Sequence, residues 1–297
     1  MKILYDVAAP AKLNLFLHVT GRRADGYHLL QSVFMLIDWC DKLHLELRSG
    51  SAITREDVGP ALPADDLTTR AARALQQATG CTSGVHITLE KFVPSQAGMG
   101  GGSSDAASCL LALNRLWQLN LTARELAVIG LKLGADVPFF IHGRNAWVEG
   151  IGEQIAPVEL ASARFVVIKP PTGLETAAIF ADLNLCRDTN TATIAGFAAD
   201  PYGFGHNDLQ DVALKLCPQV GQALKWLASR GLNGRMTGSG SAVFARMLDE
   251  PVVGNAESRQ EIDVSALASD VTVGAWQHRI CSNLAVHPLQ GWTVSDN

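Results

Sequence analysis

The chain has 297 residues, of which 47% are hydrophobic, and its 24 Lys and Arg against 29 Asp and Glu give a net charge of −5. This apolar fraction can form a buried core and excludes a disordered chain. The acidic balance argues against a nucleic-acid partner, because binding to a phosphate backbone needs a basic surface. The length exceeds the usual single domain of about 100–150 residues, so we expect two domains.

The N-terminal segment and the cysteines indicate where the protein works. No basic segment followed by an apolar run opens the chain, and no stretch reaches the roughly 18 apolar residues of a membrane span. The six cysteines include no CxxC pair, so a structural zinc site is not expected. We therefore expect a cytoplasmic protein with reduced thiols and no membrane partner.

Alternation of apolar and polar residues predicts strands in the first part of the chain, at 12–19 and 42–48. Between them, residues 22–28 form a polar loop with a glycine turn. Helical spacing of apolar residues predicts a helix at 67–78, and alternation returns in a strand at 85–91. The first part of the chain therefore mixes strands with a helix.

Two helices follow a glycine-rich segment, one at 105–117 and one that begins at Thr122, where Glu125 completes a capping box, and stops at Gly134. The second half then predicts a strand at 164–168, helices at 207–216 and 218–230, and strands at 242–247 and 271–276. Because strands and helices alternate without a regular βαβ rhythm, the fold class is α+β. We place the domain boundary near residue 160, giving domains at 1–160 and 161–297.

The strongest functional signal is a glycine-rich loop between a strand and a helix. Its residues are Gly98, Gly100, Gly101, Gly102, Ser103 and Ser104. Bare backbone N–H groups beside a helix N-terminus form an anion site, and phosphate is the natural occupant. The spacing fits neither a P-loop nor a dinucleotide-binding loop. The alternative is a flexible turn with a serine cap.

Two charged residues are candidates for the chemistry. Asp136 follows Gly134 and precedes an apolar Pro-Phe-Phe segment, so it is either a turn-capping residue or a functional acid or base. Lys12 is a cation on the polar face of an otherwise apolar strand. It is either a functional cation or an ordinary exposed lysine of that strand.

Two further segments could line a site. Met236–Ser241 is a second glycine-serine loop, which could close over a nucleotide from the other domain or be a simple turn. Tyr27 could stack on a planar ring whose edge His28 reads by hydrogen bonds, and Phe180 could supply the opposite face. Alternatively, Tyr27 is a loop aromatic that covers the edge of the core, and Phe180 is an ordinary core residue.

Taken together, these segments resemble those of the GHMP small-molecule kinase superfamily over nearly the whole chain, ending with the segment 287–289. The glycine-serine motif indicates the superfamily. PAKLNL at 10–15 and GYH at 26–28 narrow the resemblance to the branch whose members phosphorylate a cytidyl-diphospho-methylerythritol. The matching segments are 10–15, 26–28, PSQAGMGGGSSDAA at 94–107, GADVP at 134–138 and MTGSG at 236–240.

The resemblance implies an N-terminal domain like ribosomal protein S5, a ferredoxin-like C-terminal domain, and an active site between them. It implies transfer of the γ-phosphate of ATP, with Mg²⁺, to the 2-hydroxyl of the small-molecule substrate in the non-mevalonate (methylerythritol phosphate) route to isoprenoid precursors. By matching position, Asp136 is the base, Lys12 lies beside it, and the ATP loop is Pro94, Gly98, Met99, Gly100, Gly101, Gly102, Ser103 and Ser104. The implied substrate contacts are Asn14, Tyr27, His28, Thr176, Phe180, Gly238, Ser239 and Gly240.

The sequence leaves several alternatives open. Asp66 stands where the family usually has an Asn, which changes the expected adenine contact, and the Mg²⁺ ligands are not assigned, with Ser104 as a candidate. The protein could be a mevalonate-type or homoserine-type kinase, a nucleotide-binding regulator without turnover, or an S5-like RNA-binding module. The expected assembly is a monomer or a homodimer.

Overall fold

The computed structural model describes residues 2–247 and 276–295, which form two β-sheets with helices packed against them. The elements of the first half, in chain order, are β1 (Ile3–Arg22), β2 (His28–Arg48), β3 (Ile53–Val58), α1 (Leu67–Thr79), β4 (Gly84–Glu90), α2 (Gly101–Leu116), α3 (Ala123–Leu131), α4 (Val137–His142), β5 (Ala146–Gly150) and β6 (Gln154–Pro157). Its six strands form the first sheet in the order β3-β4-β2-β5-β6, with β1 paired to β2.

The elements of the second half are β7 (Arg164–Lys169), α5 (Thr176–Ala181), α6 (Ile194–Ala199), α7 (Gln210–Leu216), α8 (Pro218–Ala228), β8 (Gly234–Met236), β9 (Val243–Met247) and β10 (Gln277–Ser282). Its four strands form an antiparallel sheet in the order β10-β7-β9-β8. The apolar face of this sheet packs on α7 and α8 through residues such as Val166, Val212 and Trp226.

The pair of long strands β1 and β2 supplies one wall of the space between the two sheets. Their register sets Lys12 opposite Leu36 and Asn14 opposite Phe34, with irregularities between Pro10 and Lys12 and again after Asn14. Such bulges re-aim side chains next to functional sites. Both faces of β1 are buried over most of its length, so its lysine lies inside the protein rather than on a solvated face.

The two halves are held together along β1 and by the end of the chain. Leu17 exchanges backbone hydrogen bonds with the segment 206–208, and Arg235 donates to the carbonyl oxygens of Leu15 and Phe204. Residues 283–295 turn back onto the first half, where Leu289 is buried in the core beside α2. These last residues therefore complete the first core, although the predicted boundary assigns them to the second domain.

Most predicted elements are present in the structure, with shifts at their ends. The capping box of Thr122 and Glu125 opens α3, but this helix ends at Leu131, before Gly134. Helix α2 begins at Gly101 rather than at 105, because glycine weakens the helical signal in the sequence although its backbone N–H groups open the first turn. In the predicted strand at 271–276, residues 271–275 lie outside the described residues. No helix in the described part of the chain combines the length and apolarity needed to cross a lipid bilayer.

Candidate active site

A cavity of about 650 Å³ lies between the two halves and contains most of the predicted site residues. A second cavity of about 530 Å³ adjoins it, because Leu30, Ile151, Thr176 and Phe180 line both. Of the predicted residues, the first cavity is lined by Lys12, Asn14, Pro94, Gly98, Met99, Gly100, Gly101, Gly102, Ser103, Asp136, Thr176, Phe180, Gly238, Ser239 and Gly240. The second cavity adds Tyr27 and His28.

The glycine loop brings the start of α2 to the cavity. Gly100 is the N-cap of this helix at φ 70°, and no side chain caps the first N–H groups. Uncapped N–H groups together with the helix dipole favour an anion at this end. A Cβ on Gly101 would lie 3.6 Å from Lys91 Nζ, an ammonium that is already paired with the carboxylates of Asp41 and Asp105. The loop therefore offers a phosphate group its backbone donors and the positive end of a helix dipole.

Ser103 and Ser104 point to different places. Ser103 lines the cavity, and its hydroxyl is 3.6 Å from where a Cβ on Gly134 would stand. Ser104 is fully buried, and its hydroxyl donates to the carbonyl oxygen of Pro10 at 2.7 Å. The hydroxyl of Ser104 is thus committed to joining α2 to β1, which disagrees with its assignment as a candidate Mg²⁺ ligand.

Lys12 and Asp136 form an ion pair at the floor of the first cavity. The ammonium of Lys12 lies 3.7 Å from a carboxylate oxygen of Asp136 and 4.5 Å from the centre of the Phe34 ring. Lys12 is 4% exposed, whereas the Asp136 side chain is 30% exposed. Burial lowers the pKa of Lys12, and the neighbouring carboxylate opposes that shift. The pair offers a fixed cation and an accessible acceptor side by side.

Asn14 orients Lys12 of this pair through a hydrogen bond. Its side-chain oxygen accepts a short hydrogen bond from the Lys12 ammonium, and its amide nitrogen donates to Ser32 Oγ at 2.9 Å. Its backbone N–H donates to Thr237 Oγ1 at 2.9 Å, which connects β1 with the second glycine-serine loop. Because Asn14 is 1% exposed and both polar ends are engaged, its contacts in this structure hold Lys12 in place.

The second glycine-serine loop, residues 236–241, closes against the first. Gly98 has φ 70°, and a Cβ there would stand 2.8 Å from the backbone nitrogen of Gly240 and closer still to the carbonyl of Thr237. Only glycine fits such an approach of two backbones. Ser239 shares a hydrogen bond of 2.7 Å with Thr176 at the start of α5. This contact joins the loop to the wall that carries Phe180.

The aromatic residues meet at the other end of the cavities. The His28 ring stacks on Phe180 with centroids 4.9 Å apart and planes tilted by 29°, while Tyr27 is 60% exposed. The predicted arrangement, in which Tyr27 and Phe180 enclose a base, stays a prediction, since Phe180 lies against His28 in this structure. Arg187 donates to His28 Nε2 at 2.9 Å.

Two family models match the chain, the GHMP kinases N terminal domain over residues 66–144 and the GHMP kinases C terminal domain over 194–259. Curated proteins named 4-diphosphocytidyl-2-C-methyl-D-erythritol kinase include one from Albidiferax ferrireducens, 62% identical over 100% of this chain and 98% of its own length. Another, from Delftia acidovorans, is 63% identical over the full length of both chains. The chain belongs to the family of 4-diphosphocytidyl-2-C-methyl-D-erythritol kinases.

Solved structures agree with this membership. The crystal structure of a 4-(cytidine 5'-diphospho)-2C-methyl-D-erythritol kinase matches with a TM-score of 0.75 at 31% identity, covering 95% of this chain and 99% of that one. The homoserine kinase of Cytophaga hutchinsonii matches with a TM-score of 0.65 at 16% identity, over 86% of this chain and 89% of that one, which shows the shared fold alone. The predicted superfamily and its two-domain α+β fold are confirmed, and membership implies the use of ATP.

Three residues that line or support the cavities were not found from the sequence. Phe34 lies under the Lys12 ammonium, and Arg187 contacts His28 from 159 positions along the chain. Lys91 lines the first cavity and forms ion pairs with the buried carboxylates of Asp41 and, at 2.6 Å, Asp105. Lys91 lies between an apolar strand and the glycine loop, and this position was the one local signal in the sequence that could have indicated a site residue.

Asp66, the departure from the family pattern, has a structural task. Its carboxylate caps α1 by accepting from the backbone N–H of Thr68 at 3.2 Å and of Thr69 at 2.9 Å, and it pairs with Arg55. An aspartate is among the preferred residues for such a cap. The change from the family's asparagine therefore leaves the start of this helix intact.

Proposed function

We propose that this protein transfers the γ-phosphate of ATP to the 2-hydroxyl of 4-diphosphocytidyl-2-C-methyl-D-erythritol, as a cytoplasmic step of the methylerythritol phosphate route. The observation that carries the proposal is the Lys12–Asp136 pair, which lies in the same cavity as the glycine loop. This cavity adjoins the second one, which Tyr27 and His28 line. A cytoplasmic location fits the cysteines, all six of which are free.

The phosphates of ATP bind at the start of α2. Phosphoryl transfer depends on positioning and on stabilising charge that spreads over the transferred group, so backbone donors and cations can carry most of the catalysis. The uncapped N–H groups of Gly101 and Gly102 supply donors, and the Lys12 side chain reaches the loop, with its Cε 3.3 Å from where a Cβ on Gly100 would be. The loop thus holds the reacting phosphate next to the Lys12–Asp136 pair.

Asp136 receives the proton of the substrate hydroxyl. The hydroxyl oxygen forms a bond to the γ-phosphorus, the bond from that phosphorus to the bridging oxygen breaks, and ADP leaves with the bond's electron pair. The proton passes to the exposed carboxylate oxygen of Asp136, whose negative charge Lys12 supports at 3.7 Å. Since the Lys12 ammonium remains charged beside the transferring group, it stabilises the phosphoryl oxygens during the same step.

Mg²⁺ fits this site as an ion held mainly by the nucleotide. Within residues 2–247 and 276–295, no group of three or more His, Cys, Asp or Glu side chains is arranged to bind a metal ion. Mg²⁺ commonly binds through one or two protein oxygens together with substrate phosphates, and Ser103 and Asp136 both offer oxygen atoms to the cavity. When bound, the ion would neutralise phosphate charge.

The cytidyl group binds in the second cavity. Tyr27 and Phe180 supply aromatic faces for the base, and His28 supplies a ring edge for hydrogen bonds. Thr176 and the loop 238–240 lie between this cavity and the phosphate end, where the diphosphate and the methylerythritol must pass. An exposed aromatic pocket is expected for a base and has no role in binding homoserine or mevalonate.

The proposal is tested by a coupled ADP-release assay with 4-diphosphocytidyl-2-C-methyl-D-erythritol, with and without Mg²⁺, beside mevalonate and homoserine. We expect Mg²⁺-dependent ADP release with the cytidyl substrate alone, and a new phosphomonoester in the ³¹P NMR spectrum of the product. Turnover of homoserine or mevalonate would assign a different kinase activity. ATP binding without turnover of any of the three would revive the regulator hypothesis.

A further inference from the structure

Arg187 joins the two walls of the second cavity. Its Nε–H donates to His28 Nε2 at 2.9 Å, and its Nη2 donates to the carbonyl oxygens of Phe180 at 3.0 Å and Asp182 at 2.7 Å. Its Nη1 donates to the carbonyl oxygen of Leu185 at 3.0 Å. The guanidinium thus holds the imidazole of β2 and the backbone that carries Phe180 in one arrangement.

The contact with Arg187 determines which nitrogen of His28 carries the proton. A guanidinium has donors only and stays charged, so the nitrogen that it faces must be an unprotonated acceptor. The neutral imidazole then carries its hydrogen on Nδ1, for which the described part of the chain provides no hydrogen-bond partner. Burial lowers the pKa of His28, and the charges of Arg187 and Arg22 lower it further, which supports the neutral ring.

We propose that Arg187 is a positioning residue that fixes His28 as a donor through Nδ1–H, so that the ring edge already assigned to the base presents a hydrogen to N3 of cytosine. The inference rests on the proposed cytidyl substrate. Cytosine N3 is an acceptor, whereas uracil carries a hydrogen on N3 and would place donor against donor. A site that leaves a buried donor unpaired or opposed discriminates strongly against the wrong ligand.

Substitution of Arg187 should therefore lower the selectivity for cytosine over uracil, and not simply lower the stability of the protein. Without the guanidinium, the imidazole can move its hydrogen to Nε2 and present Nδ1 as an acceptor, which fits N3–H of uracil. The bound base would then no longer be distinguished by this ring. If Arg187 only supports the backbone through the carbonyl oxygens of Phe180, Asp182 and Leu185, its loss would instead weaken the binding of both substrates, cytidyl and uridyl, equally.

The test compares kcat and KM of the full-length enzyme for the cytidyl substrate and for its uridyl analogue. In Arg187→Met, we expect KM for the cytidyl substrate to rise about tenfold with kcat within about twofold, and the cytidyl-to-uridyl ratio of kcat/KM to fall by about tenfold or more. Arg230→Met is the matched control, because Arg230 stacks on Trp226 in α8 and lines neither cavity. This control should keep both the KM and the ratio.

A second variant and a spectrum separate the remaining explanations. In a His28→Ala background, Arg187→Met should not change the ratio further, because the proposed effect passes through the imidazole. The ¹⁵N NMR spectrum of His28 should show Nδ1–H in the wild type and a mixture of tautomers in Arg187→Met. An unchanged ratio in Arg187→Met, or Nε2–H in the wild type, overturns the inference. Failure of the wild type to phosphorylate the cytidyl substrate instead overturns the proposed function.

Discussion

The two ends of the cleft are built differently. At the phosphate end, Lys12 is 4% exposed and Asn14 is 1% exposed, and both side chains are fixed from strand β1. At the base end, Tyr27 is 60% exposed in a loop, and His28 stacks on Phe180 across the two halves of the molecule. The chemistry is thus supported by buried side chains on one strand, whereas base recognition depends on an exposed loop tyrosine and on ring contacts between the two halves.

This difference follows from what each end must do. Transfer of a phosphoryl group requires the reacting atoms to be held close to their productive geometry, and side chains on strands with all polar atoms engaged achieve this. Stacking on a base tolerates offset and tilt, so exposed aromatics on loops are sufficient. Mutations of the reacting side chains at the phosphate end should therefore lower kcat, and those at the base end should raise KM for the cytidyl substrate.

The largest effect is expected for Asp136→Asn, which removes the proton acceptor without changing the size of the side chain. We expect kcat to fall by ~10²–10⁴, with KM for the cytidyl substrate nearly unchanged. Steady-state kinetics with saturating ATP measure this. Asp6→Asn is the matched control, since Asp6 forms an exposed pair with Lys42 at 2.9 Å, and asparagine tolerates its positive φ of 52°. A kcat within threefold of wild type in Asp136→Asn would remove the base assignment.

The next largest effect is expected at Gly98, where the two glycine-serine loops meet. Gly98→Ala must push the backbone of Thr237 and Gly240 away and adopts a strained φ of 70°. We expect KM for ATP to rise by about tenfold or more and the protein to lose about 1–3 kcal/mol of stability, measured by kinetics and urea unfolding.

Gly231→Ala is the control for this prediction. Gly231 has a matching positive φ of 71°, but a Cβ there would meet nothing within 4 Å, and the residue lines neither cavity. This variant should therefore lose stability through its strained φ alone and keep the wild-type KM for ATP. If both variants bind ATP equally well, the close approach of the two loops has no role in holding the nucleotide.

At the base end, Tyr27→Ala should raise KM for the cytidyl substrate by about tenfold and leave kcat within about twofold, because stacking contributes equally to substrate and transition state. Tyr5→Ala serves as the control, since Tyr5 is 64% exposed and contacts His44 away from both cavities. A large loss of kcat in Tyr27→Ala would mean that this end also positions the reacting group.

The same contrast explains what could be predicted from the sequence. Alternation and capping residues are local signals, so the capping box at Thr122 and the glycine loop before α2 were found. The short helices α5 and α6 and the strands β5 and β6 were missed, because they are too short to show a periodic pattern. Local patterns thus predict the scaffold and the loop but give few details of the side chains that meet across it.

The residues that the sequence did not reveal depend on long-range contacts. Arg187 reaches His28 across 159 positions, and Phe34 meets Lys12 only through the register of β1 and β2. The hydroxyl of Ser104 has the right type and position for a metal ligand, yet the fold commits it to Pro10. Residue type and spacing predict which groups are available, whereas packing decides which way each one points.

The smallest effect is expected in the pH dependence of the kinetics, where the base end of the cleft controls KM for the cytidyl substrate and the phosphate end controls kcat. The pKa of His28 lies below its ordinary 6.5, so the ring stays neutral at pH 7 and KM for the cytidyl substrate should be flat until the pH falls below 6.5. Protonation of Nε2 then removes the acceptor for Arg187, and KM should rise by a few-fold, roughly the loss of one hydrogen bond. At the phosphate end, burial lowers the pKa of Lys12 below 10.5, so kcat should decline on the alkaline side as the ammonium loses its proton.

Measuring kcat and KM separately between pH 5 and pH 10, at saturating ATP, tests this assignment. In Arg187→Met the acidic rise of KM should disappear, because the variant has no hydrogen bond to His28 Nε2 for protonation to break. The alkaline limb of kcat should stay where it is, because Arg187 lies at the other end of the cleft. If one titration governs both constants, or if the variant moves the kcat limb, the two ends are coupled.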